Sequence, residues 1–311
     1  MLRSEAAVVR RVAIITDDPG WHGRQLRRAF AARGWDSLYV SLQDCYFDLA
    51  RARNSLVIPG FKNCLPDAVF VRGVAGGTLE QVILRLDVLH ALRELGVPVY
   101  NDARAIERSV DKAMTSFLLK RADIPTPATW VCESSAQARA ILLRETAAGR
   151  ELVMKPLFGS QGLGLLHLKS GMKMPDLSKY AGTAYLQSFI NCAEGDWHDF
   201  RVLVVGGSAR AAMLRRGTTW ISNVAQGAKC EKMQLDENMQ RLAQDASRVL
   251  GMDYAGVDLM RDLHGELYVI EVNGIPAWKG LQGVCRENLA QLLVDDLLAR
   301  KLTQVGMEMV C

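Results

Sequence analysis

The segment Val153–Leu165, VMKPLFGSQGLGL, places a lysine at the end of a buried-looking strand and follows it with a loop that contains three glycines. Glycines allow positive φ angles and let backbone N–H groups approach an anion closely, so this loop could cradle phosphates. A lysine beside such a loop is a compact charge suited to phosphate oxygens. A tight hairpin turn would use the same residues, so the segment alone does not decide between the two interpretations.

The composition is that of a globular protein with about two domains. The 311 residues are 49% hydrophobic and 23% charged, with a net charge of +4. Lys and Arg are spread along the chain, so the charge indicates neither nucleic acid nor membrane binding. No stretch approaches the ~20 consecutive apolar residues of a membrane-spanning helix. The seven cysteines are irregularly spaced and form no C-x-x-C pair, which predicts reduced thiols in a cytoplasmic protein.

Strands alternate with helices over roughly the first hundred residues. The predicted strands are Arg11–Thr16, 37–41, Ala68–Arg72 and Val97–Tyr100, and the predicted helices are 21–33 and Thr78–Leu95. This alternation predicts a parallel, doubly wound α/β sheet. No G-x-G-x-x-G follows the first strand, so a dinucleotide site is not expected there.

The pattern after residue 102 predicts a small α+β unit and then a larger domain rich in antiparallel strands. Helices are predicted over Ala103–Ala122, Ser134–Ala148 and 236–250. We therefore expect three parts, covering residues 1–102, 103–183 and 184–311. The amphipathic segment Asn288–Lys301 is expected to pack in the core or to form a subunit contact, so a homo-oligomer stays open.

Three oxygen-bearing side chains are predicted to share one face of a hairpin. Strand-like runs flank His264-Gly265, and a two-residue turn there places Asp258 opposite Glu271. Asn273 lies two residues beyond Glu271 and therefore on the same face. Facing carboxylates repel unless a cation lies between them, and oxygen ligands suit Mg²⁺. The alternative is a solvated hairpin, which the neighbouring Val, Leu and Ile residues make less favourable.

Several motifs, taken in their order along the chain, resemble the ATP-grasp superfamily and most closely its RimK-type alpha-L-glutamate ligases. The resemblance covers about residues 68–282. The matching segments are Asp111-Lys112 with the turn Ile124–Pro127, Val153–Leu165, Gln187–Ile190, Asp199–Arg201, Ala211–Arg215, Asn223 with Gly227, Gly256–Asp258 and Glu271–Asn273. The resemblance implies an ATP-grasp fold, with the N-terminal parallel sheet as its pre-ATP-grasp domain.

The resemblance also implies ATP and Mg²⁺ as cofactors, usually with two ions, and with Mn²⁺ as an alternative metal. The residues implied to bind ATP are Lys112, Lys155, Gly159, Ser160, Gln161, Gly162, Gly164, Gln187, Ser188, Phe189 and Ile190. Those implied to act in catalysis are Arg201, Arg215 and Asn273, and those implied to hold metal are Asp258, Glu271 and Asn273. Arg215 and Arg216 are adjacent on a predicted strand, so only one of them can reach the site.

The implied reaction is the ATP-dependent joining of L-glutamate to an amine or glutamyl acceptor. ATP phosphorylates a carboxylate, and an amine then displaces phosphate to form an amide. Positioning and charge neutralisation dominate such phosphoryl transfer, which agrees with a site made of lysines, arginines and a metal. The glycine-rich loop would close over the phosphates and exclude water from the acyl phosphate.

Three departures from the family pattern concern the substrates. Ser188 replaces an acidic residue, Gln226–Ala228 replaces Arg-Gly-Gly, and Asn273–Trp278 (NGIPAW) replaces Asn-Ser-x-Pro-Gly. The last segment lies where the resemblance places the acceptor, so we expect a small molecule or a pterin- or furan-type cofactor intermediate instead of a protein tail. The loop Val71–Gly77 either faces the acceptor or only connects a strand to a helix.

Three other functions stay open at this stage. The first is a protein-modifying glutamate ligase, and the second is a ligase like D-alanine–D-alanine ligase or glutathione synthase. The third is an ATP-binding regulatory module that has lost turnover. A complete metal set argues against the last, because a pure binder has less need of it.

Overall fold

The computed structural model describes residues 10–50, 55–62, 64–159, 161–190 and 195–302. The chain divides into two compact units. The first contains the described residues up to Arg104, together with Ala277–Gln282 and those from Arg286 onward, and the second contains Ala105–Pro276 and Gly283–Cys285. None of the described helices has the length and apolar character needed to span a membrane.

The strands, in chain order, are β1 (Arg11–Ile15), β2 (Asp36–Val40), β3 (Tyr46–Phe47), β4 (Leu56–Val57), β5 (Ala68–Val71), β6 (Val99–Tyr100), β7 (Thr129–Cys132), β8 (Leu152–Lys155), β9 (Leu166–Leu168), β10 (Ala184–Ser188), β11 (His198–Val205), β12 (Ser208–Arg216), β13 (Lys229–Lys232), β14 (Tyr254–Arg261) and β15 (Leu267–Asn273). The α-helices are α1 (Gly20–Ala31), α2 (Leu79–Glu94), α3 (Ala103–Val110), α4 (Lys112–Arg121), α5 (Ser135–Ala147), α6 (Glu237–Leu250), α7 (Lys279–Val284) and α8 (Leu289–Leu297).

The first unit is built on a parallel sheet of four strands in the order β2-β1-β5-β6. The predicted doubly wound sheet is therefore confirmed. Arg33 forms a two-pronged ion pair with Asp295 of α8, with N···O distances of 2.6 and 2.7 Å. Helix α8 lies in the first compact unit. The predicted division into residues 1–102, 103–183 and 184–311 stays a prediction.

The second unit contains two antiparallel sheets. One has four strands in the order β7-β10-β8-β9, and the other has five in the order β13-β12-β11-β14-β15. Helix α6 packs against the larger sheet, where Leu242 and Ala246 meet Val202 and Val257 in a buried apolar cluster. Strand β13, with the sequence KCEK, was not predicted because its polar residues give no strand-like pattern.

Asp111 divides the single helix predicted over Ala103–Ala122 into α3 and α4. Its carboxylate accepts hydrogen bonds from the backbone N–H groups of Ala113 and Met114 at 2.9 and 3.1 Å, which caps the second helix. The prediction of one continuous helix was therefore wrong. The break makes Lys112 the first residue of α4.

The hairpin of β14 and β15 contains an irregularity that decides which side chains face each other. Near the turn Leu259 pairs with Val269, whereas beyond the irregularity Asp258 pairs with Glu271. The strands are joined by residues 262–266, so the predicted two-residue turn was wrong. The extra residue, Ile270, restores the register, and the predicted pairing of Asp258 with Glu271 is confirmed.

Candidate active site

A continuous cleft in the second unit brings together most of the predicted site residues. One end is lined by Lys112, Lys155, Pro156, Gly159, Gln161, Gly162, Leu163, Leu165, Asn223, Ile270 and Glu271. The other end is lined by Val153, Lys155, Leu165, Gln187, Ser188, Phe189, Ile190, Asp199, Trp220, Ser222, Asn223, Met260 and Ile270. Lys155 is among the residues common to both ends, so it stands at the junction. Ser160 lies outside the described residues.

Lys155 is positioned by a chain of hydrogen bonds inside the smaller sheet. Its ammonium donates to Gln187 Oε1 at 2.6 Å, and the Gln187 amide donates to Thr129 Oγ1 and to the Tyr185 hydroxyl, both at 3.2 Å. Burial lowers the pKa of Lys155 to about 8, and the nearby Lys112 also lowers it, although Glu271 and Asp258 oppose the shift. A half-buried cation that lines a cleft is well placed to meet a phosphate.

Lys112 faces the cleft from the first turn of α4. Its ammonium donates to the Gly159 carbonyl at 2.8 Å and to the Leu157 carbonyl at 3.3 Å. Burial lowers the pKa of Lys112, while Glu271 raises it. The lysine is therefore bound to the glycine-rich loop by bonds that phosphate oxygens could replace.

The glycine-rich loop packs closely against the segment that follows β12. Gly162 has φ +72°, and a Cβ atom there would lie 2.7 Å from Asn223 Oδ1 and 2.8 Å from Ile221 Cγ2. Gln226 donates to the Gln161 carbonyl at 3.3 Å. Glycine is thus required at 162 both by the backbone and by the contact.

The strand end predicted to meet adenine lines the apolar end of the cleft. The backbone N–H groups of Ser188 and Phe189 donate to the carbonyls of Ala128 and Glu151 at 2.8 and 2.9 Å. These two N–H groups already donate within the protein. The prediction that the backbone of residues 187–190 hydrogen-bonds adenine therefore applies only to the remaining N–H and carbonyl groups of this segment. The Phe189 ring stacks on His167 with centroids 4.0 Å apart.

Asp258 is bound by two arginines from neighbouring strands. The Arg201 guanidinium forms a two-pronged ion pair with it, and Arg215 Nη2 lies 2.8 Å from its Oδ2. Although burial opposes the charge, the two guanidinium groups lower the pKa of Asp258. Gly256 leaves room beside this pair, since a Cβ there would lie 2.8 Å from Pro276 Cβ and 3.1 Å from Arg201 Cδ. Arg216 points away and is exposed, as the strand alternation predicts.

Glu271 and Asn273 complete the oxygen donors on this face. Burial and the neighbouring Asp258 raise the pKa of Glu271, while Lys112, Arg201 and Lys155 oppose the shift. Within the described ranges, no group of three or more His, Cys, Asp or Glu side chains is arranged to hold a metal ion. Two carboxylates and an amide nevertheless fit Mg²⁺, which binds few protein carboxylates and fills its shell with water and phosphate.

Sequence reasoning missed the residues that orient Arg215. Asp199 accepts from Arg215 Nε and Nη2, both at 2.6 Å, and Ser222 Oγ donates to Asp199 at 2.7 Å. The Asp-x-Arg spacing of Asp199 and Arg201 pointed to this region, but no local signal marked Asp199 as the partner of Arg215. Trp220 and Asn223 also line the cleft without having been predicted as site residues.

A glycine-rich loop facing a carboxylate hairpin, with two lysines between them, defines a protein of the ATP-grasp class. The model of the RimK-like ATP-grasp domain matches residues 109–297, and that of the RimK pre-ATP-grasp domain matches residues 11–106. The chain belongs to the RimK-like ATP-grasp family. The resemblance inferred from the sequence is thereby confirmed.

Two named relatives illustrate the similarity. The chain is 35% identical to the tetrahydromethanopterin:alpha-L-glutamate ligase of Methanococcus maripaludis over 235 residues, covering 74% of this chain and 78% of the relative. It is 28% identical to the probable alpha-L-glutamate ligase of Picosynechococcus sp. over 294 residues, covering 92% and 95%. These relatives are ligases, in agreement with the enzyme class predicted from the sequence.

Solved structures show the same fold at low sequence identity. The ATP-grasp ligase PsnB, in complex with a precursor variant, Mg and ADP, has a TM-score of 0.72 and 18% identity, covering 93% of this chain and 98% of that chain. The RimK domain ATP-grasp protein of Sphaerobacter thermophilus has a TM-score of 0.66 and 22% identity, covering 92% and 98%. The predicted ATP-grasp fold is confirmed.

Proposed function

We propose that this chain is an ATP- and Mg²⁺-dependent ligase that joins L-glutamate to a small-molecule acceptor of the pterin or furan cofactor type. The cleft is the observation that best supports this proposal. Lys155 lies at the junction between an end with apolar side chains, which suits a nucleobase, and an end with Lys112 and Glu271, which suits phosphates. The names of the relatives support glutamate as one substrate.

The lysines and arginines would supply the positive charge that the reaction needs. Lys112 and Lys155 neutralise the phosphates while ATP phosphorylates a carboxylate, and an amine then displaces phosphate to give the amide. Arg201 and Arg215 lie beside Asp258, where they can bind the transferred phosphoryl group. The glycine-rich loop covers the phosphates and limits hydrolysis of the acyl phosphate.

Asp258, Glu271 and Asn273 would hold Mg²⁺, with Mn²⁺ as a substitute. The bound ion would neutralise the phosphates and help to orient the terminal phosphoryl group. It would also compensate the charge of Glu271, whose pKa is raised by burial and by Asp258. A second ion, a homo-oligomer and a cytoplasmic location remain parts of the proposal.

The decisive experiment measures ADP release over a panel of amino acids and acceptors, with product masses determined in parallel. We expect release that depends on both L-glutamate and a pterin- or furan-type acceptor, with a mass increase of one or more glutamyl units. Turnover with a protein acceptor alone would instead indicate a protein-modifying ligase. Turnover with alanine or glycine in place of glutamate would indicate a peptide-forming ligase, and ATP binding without any amino-acid-dependent turnover would indicate a regulatory module.

A matched pair of variants links this activity to the proposed metal site. Glu271→Gln removes a carboxylate from the cleft, whereas Glu266→Gln removes one from the exposed turn of the same hairpin. We expect ADP release to be lost only in the first variant. Equal activity in the two variants would contradict the metal site. The assignment as a ligase would not be affected, because the panel of amino acids and acceptors tests it separately.

A further inference from the structure

The parallel sheet of the first unit changes its direction of winding between β1 and β5. In the strand order β2-β1-β5-β6, the chain leaves β1 through α1 toward β2 on one side and leaves β5 through α2 toward β6 on the other. In open α/β sheets, ligands bind beyond the carboxyl ends of the strands at such a switch point. The backbone N–H groups of Arg72 and Gly73 donate to the Ile15 carbonyl at 2.9 and 3.1 Å, so the loops after β1 and β5 run side by side.

Trp278 belongs to this unit and carries a buried side-chain N–H group without a hydrogen-bond partner among the described residues. The residue is only 1% exposed, and within the described part of the chain its indole N–H has no hydrogen-bond acceptor. The Arg72 guanidinium lies 5.3 Å from the centre of its ring. Because buried N–H groups nearly always have an acceptor in native proteins, an oxygen atom of a bound molecule would complete the bonding of this donor.

His22 fixes the orientation of Trp278 without supplying charge. Its Nε2 accepts from the backbone N–H groups of Trp278 and Lys279 at 3.1 and 3.2 Å, and its ring meets the Trp278 ring edge-on at 4.6 Å. Burial, followed by the charges of Arg72 and Lys279, lowers the pKa of His22 to about 4. The imidazole is therefore a neutral acceptor at physiological pH, and Arg72 provides positive charge on the Trp278 ring.

The loop after β5 is fixed by a second arginine. Arg85 of α2 is 7% exposed, and its Nη1 donates to the carbonyls of Ala75 and Gly76, both at 2.8 Å. This contact holds the loop that begins with Arg72 in one conformation.

We propose that Arg72 and the indole N–H of Trp278 bind a carboxylate group of one of the two ligation substrates. A guanidinium and an N–H group offer donors for both carboxylate oxygens. Asp17 and Asp18 in the loop after β1 are exposed and acidic, which disfavours a phosphate dianion relative to a carboxylate. The identification of the ligand as a ligation substrate rests on the proposed function, whereas the binding of a carboxylate does not.

Titration calorimetry on the full chain tests the site directly, with L-glutamate and tetrahydromethanopterin as the two probes. Arg72→Gln removes the charge, and Trp278→Phe removes the N–H group but keeps an aromatic ring. Arg24→Gln on the exposed face of α1 and Trp35→Phe are the matched controls in the same unit. Urea unfolding of the same samples shows whether the first unit of each variant is folded, and nucleotide affinity serves the same purpose for the second unit.

We expect both site variants to weaken one probe at least tenfold, while the controls and the nucleotide affinity stay unchanged. Weaker glutamate binding assigns the site to the amino acid, and weaker tetrahydromethanopterin binding assigns it to the acceptor. Unchanged affinity of both probes in both site variants overturns the proposal, as does a wild-type chain that binds neither. ADP release is scored separately, so loss of the carboxylate site and failure of the ligase assignment are distinguishable.

Discussion

The two sides of the proposed nucleotide cleft are built in opposite ways. On the hairpin side, Asp258 is 4% exposed and is bound by Arg201 and Arg215, the second of which is also held by Asp199. On the loop side, Leu163 is 62% exposed, and the described hydrogen bonds across the cleft include only those from Lys112 and Gln226 to loop carbonyls. One side is thus a buried ion-pair network, and the other is an exposed loop with few side-chain contacts.

This difference assigns different tasks to the two sides. Charges that stabilise phosphoryl transfer act best when they are fixed before the reaction, which a buried network achieves. A loop that must admit ATP and then cover it needs weak contacts that can be exchanged for contacts with phosphate. Substitutions on the hairpin side should therefore affect stability or turnover strongly, and substitutions on the loop side should affect nucleotide binding.

The largest effect is expected for Asp258→Asn. The change removes the carboxylate that binds both Arg201 and Arg215, and of the two only Arg215 also pairs with Asp199. Breaking a buried ion pair from one side costs about 3–5 kcal/mol, so the free energy of unfolding should fall by about that amount and ADP release should be lost. Urea unfolding with Glu266→Gln as the control measures the first effect, and an unfolding free energy equal to that of the control would contradict the ion-pair network.

Glu271→Gln should separate catalysis from stability on the same hairpin. Burial and Asp258 raise the pKa of Glu271, so its ionised form is less favourable in the folded chain than in the unfolded chain. Removing the charge should leave the free energy of unfolding unchanged or higher. Loss of a metal ligand removes several kcal/mol of transition-state stabilisation, so turnover should fall at least ~100-fold. Turnover within tenfold of the parent protein would exclude Glu271 as a ligand.

The hairpin also shows how far the sequence could predict the site. The pairing of Asp258 with Glu271 was predicted from a two-residue turn, and it holds only because Ile270 compensates for the longer turn at residues 262–266. Alternating strands and helices were readable because each pattern is local. The contact of Arg215 with Asp199 and Asp258 joins three neighbouring strands, and no local pattern encodes which strands become neighbours. Asp is a residue typical of helix N-caps, so the sequence contained a signal for the break at Asp111, but Asp111 was predicted to lie inside one continuous helix.

Gly162→Ala tests the loop side against Gly171→Ala as a matched control. Both glycines have φ above +70°, but a Cβ at Gly162 would clash with Asn223, whereas a Cβ at Gly171 meets nothing within 4 Å. Both changes carry a backbone cost of roughly 1–2 kcal/mol. Only Gly162→Ala should raise the KM for ATP, by roughly tenfold, or about 1.4 kcal/mol. An equal rise in both variants would show that backbone strain alone is responsible.

The last effect is a pH dependence at Lys155, which lies between the two sides of the cleft. Burial lowers its pKa to about 8, so the ammonium is charged below that pH and neutral above it. A phosphate binds the charged form more tightly, and ATP affinity should therefore be constant below pH 8 and about tenfold weaker at pH 9. Calorimetric titration with ATP at each pH measures this affinity. Lys155→Arg keeps its charge over this range, so its ATP affinity should not change with pH. Parallel profiles for lysine and arginine would mean that another group sets the pH dependence and that Lys155 does not contact the phosphates.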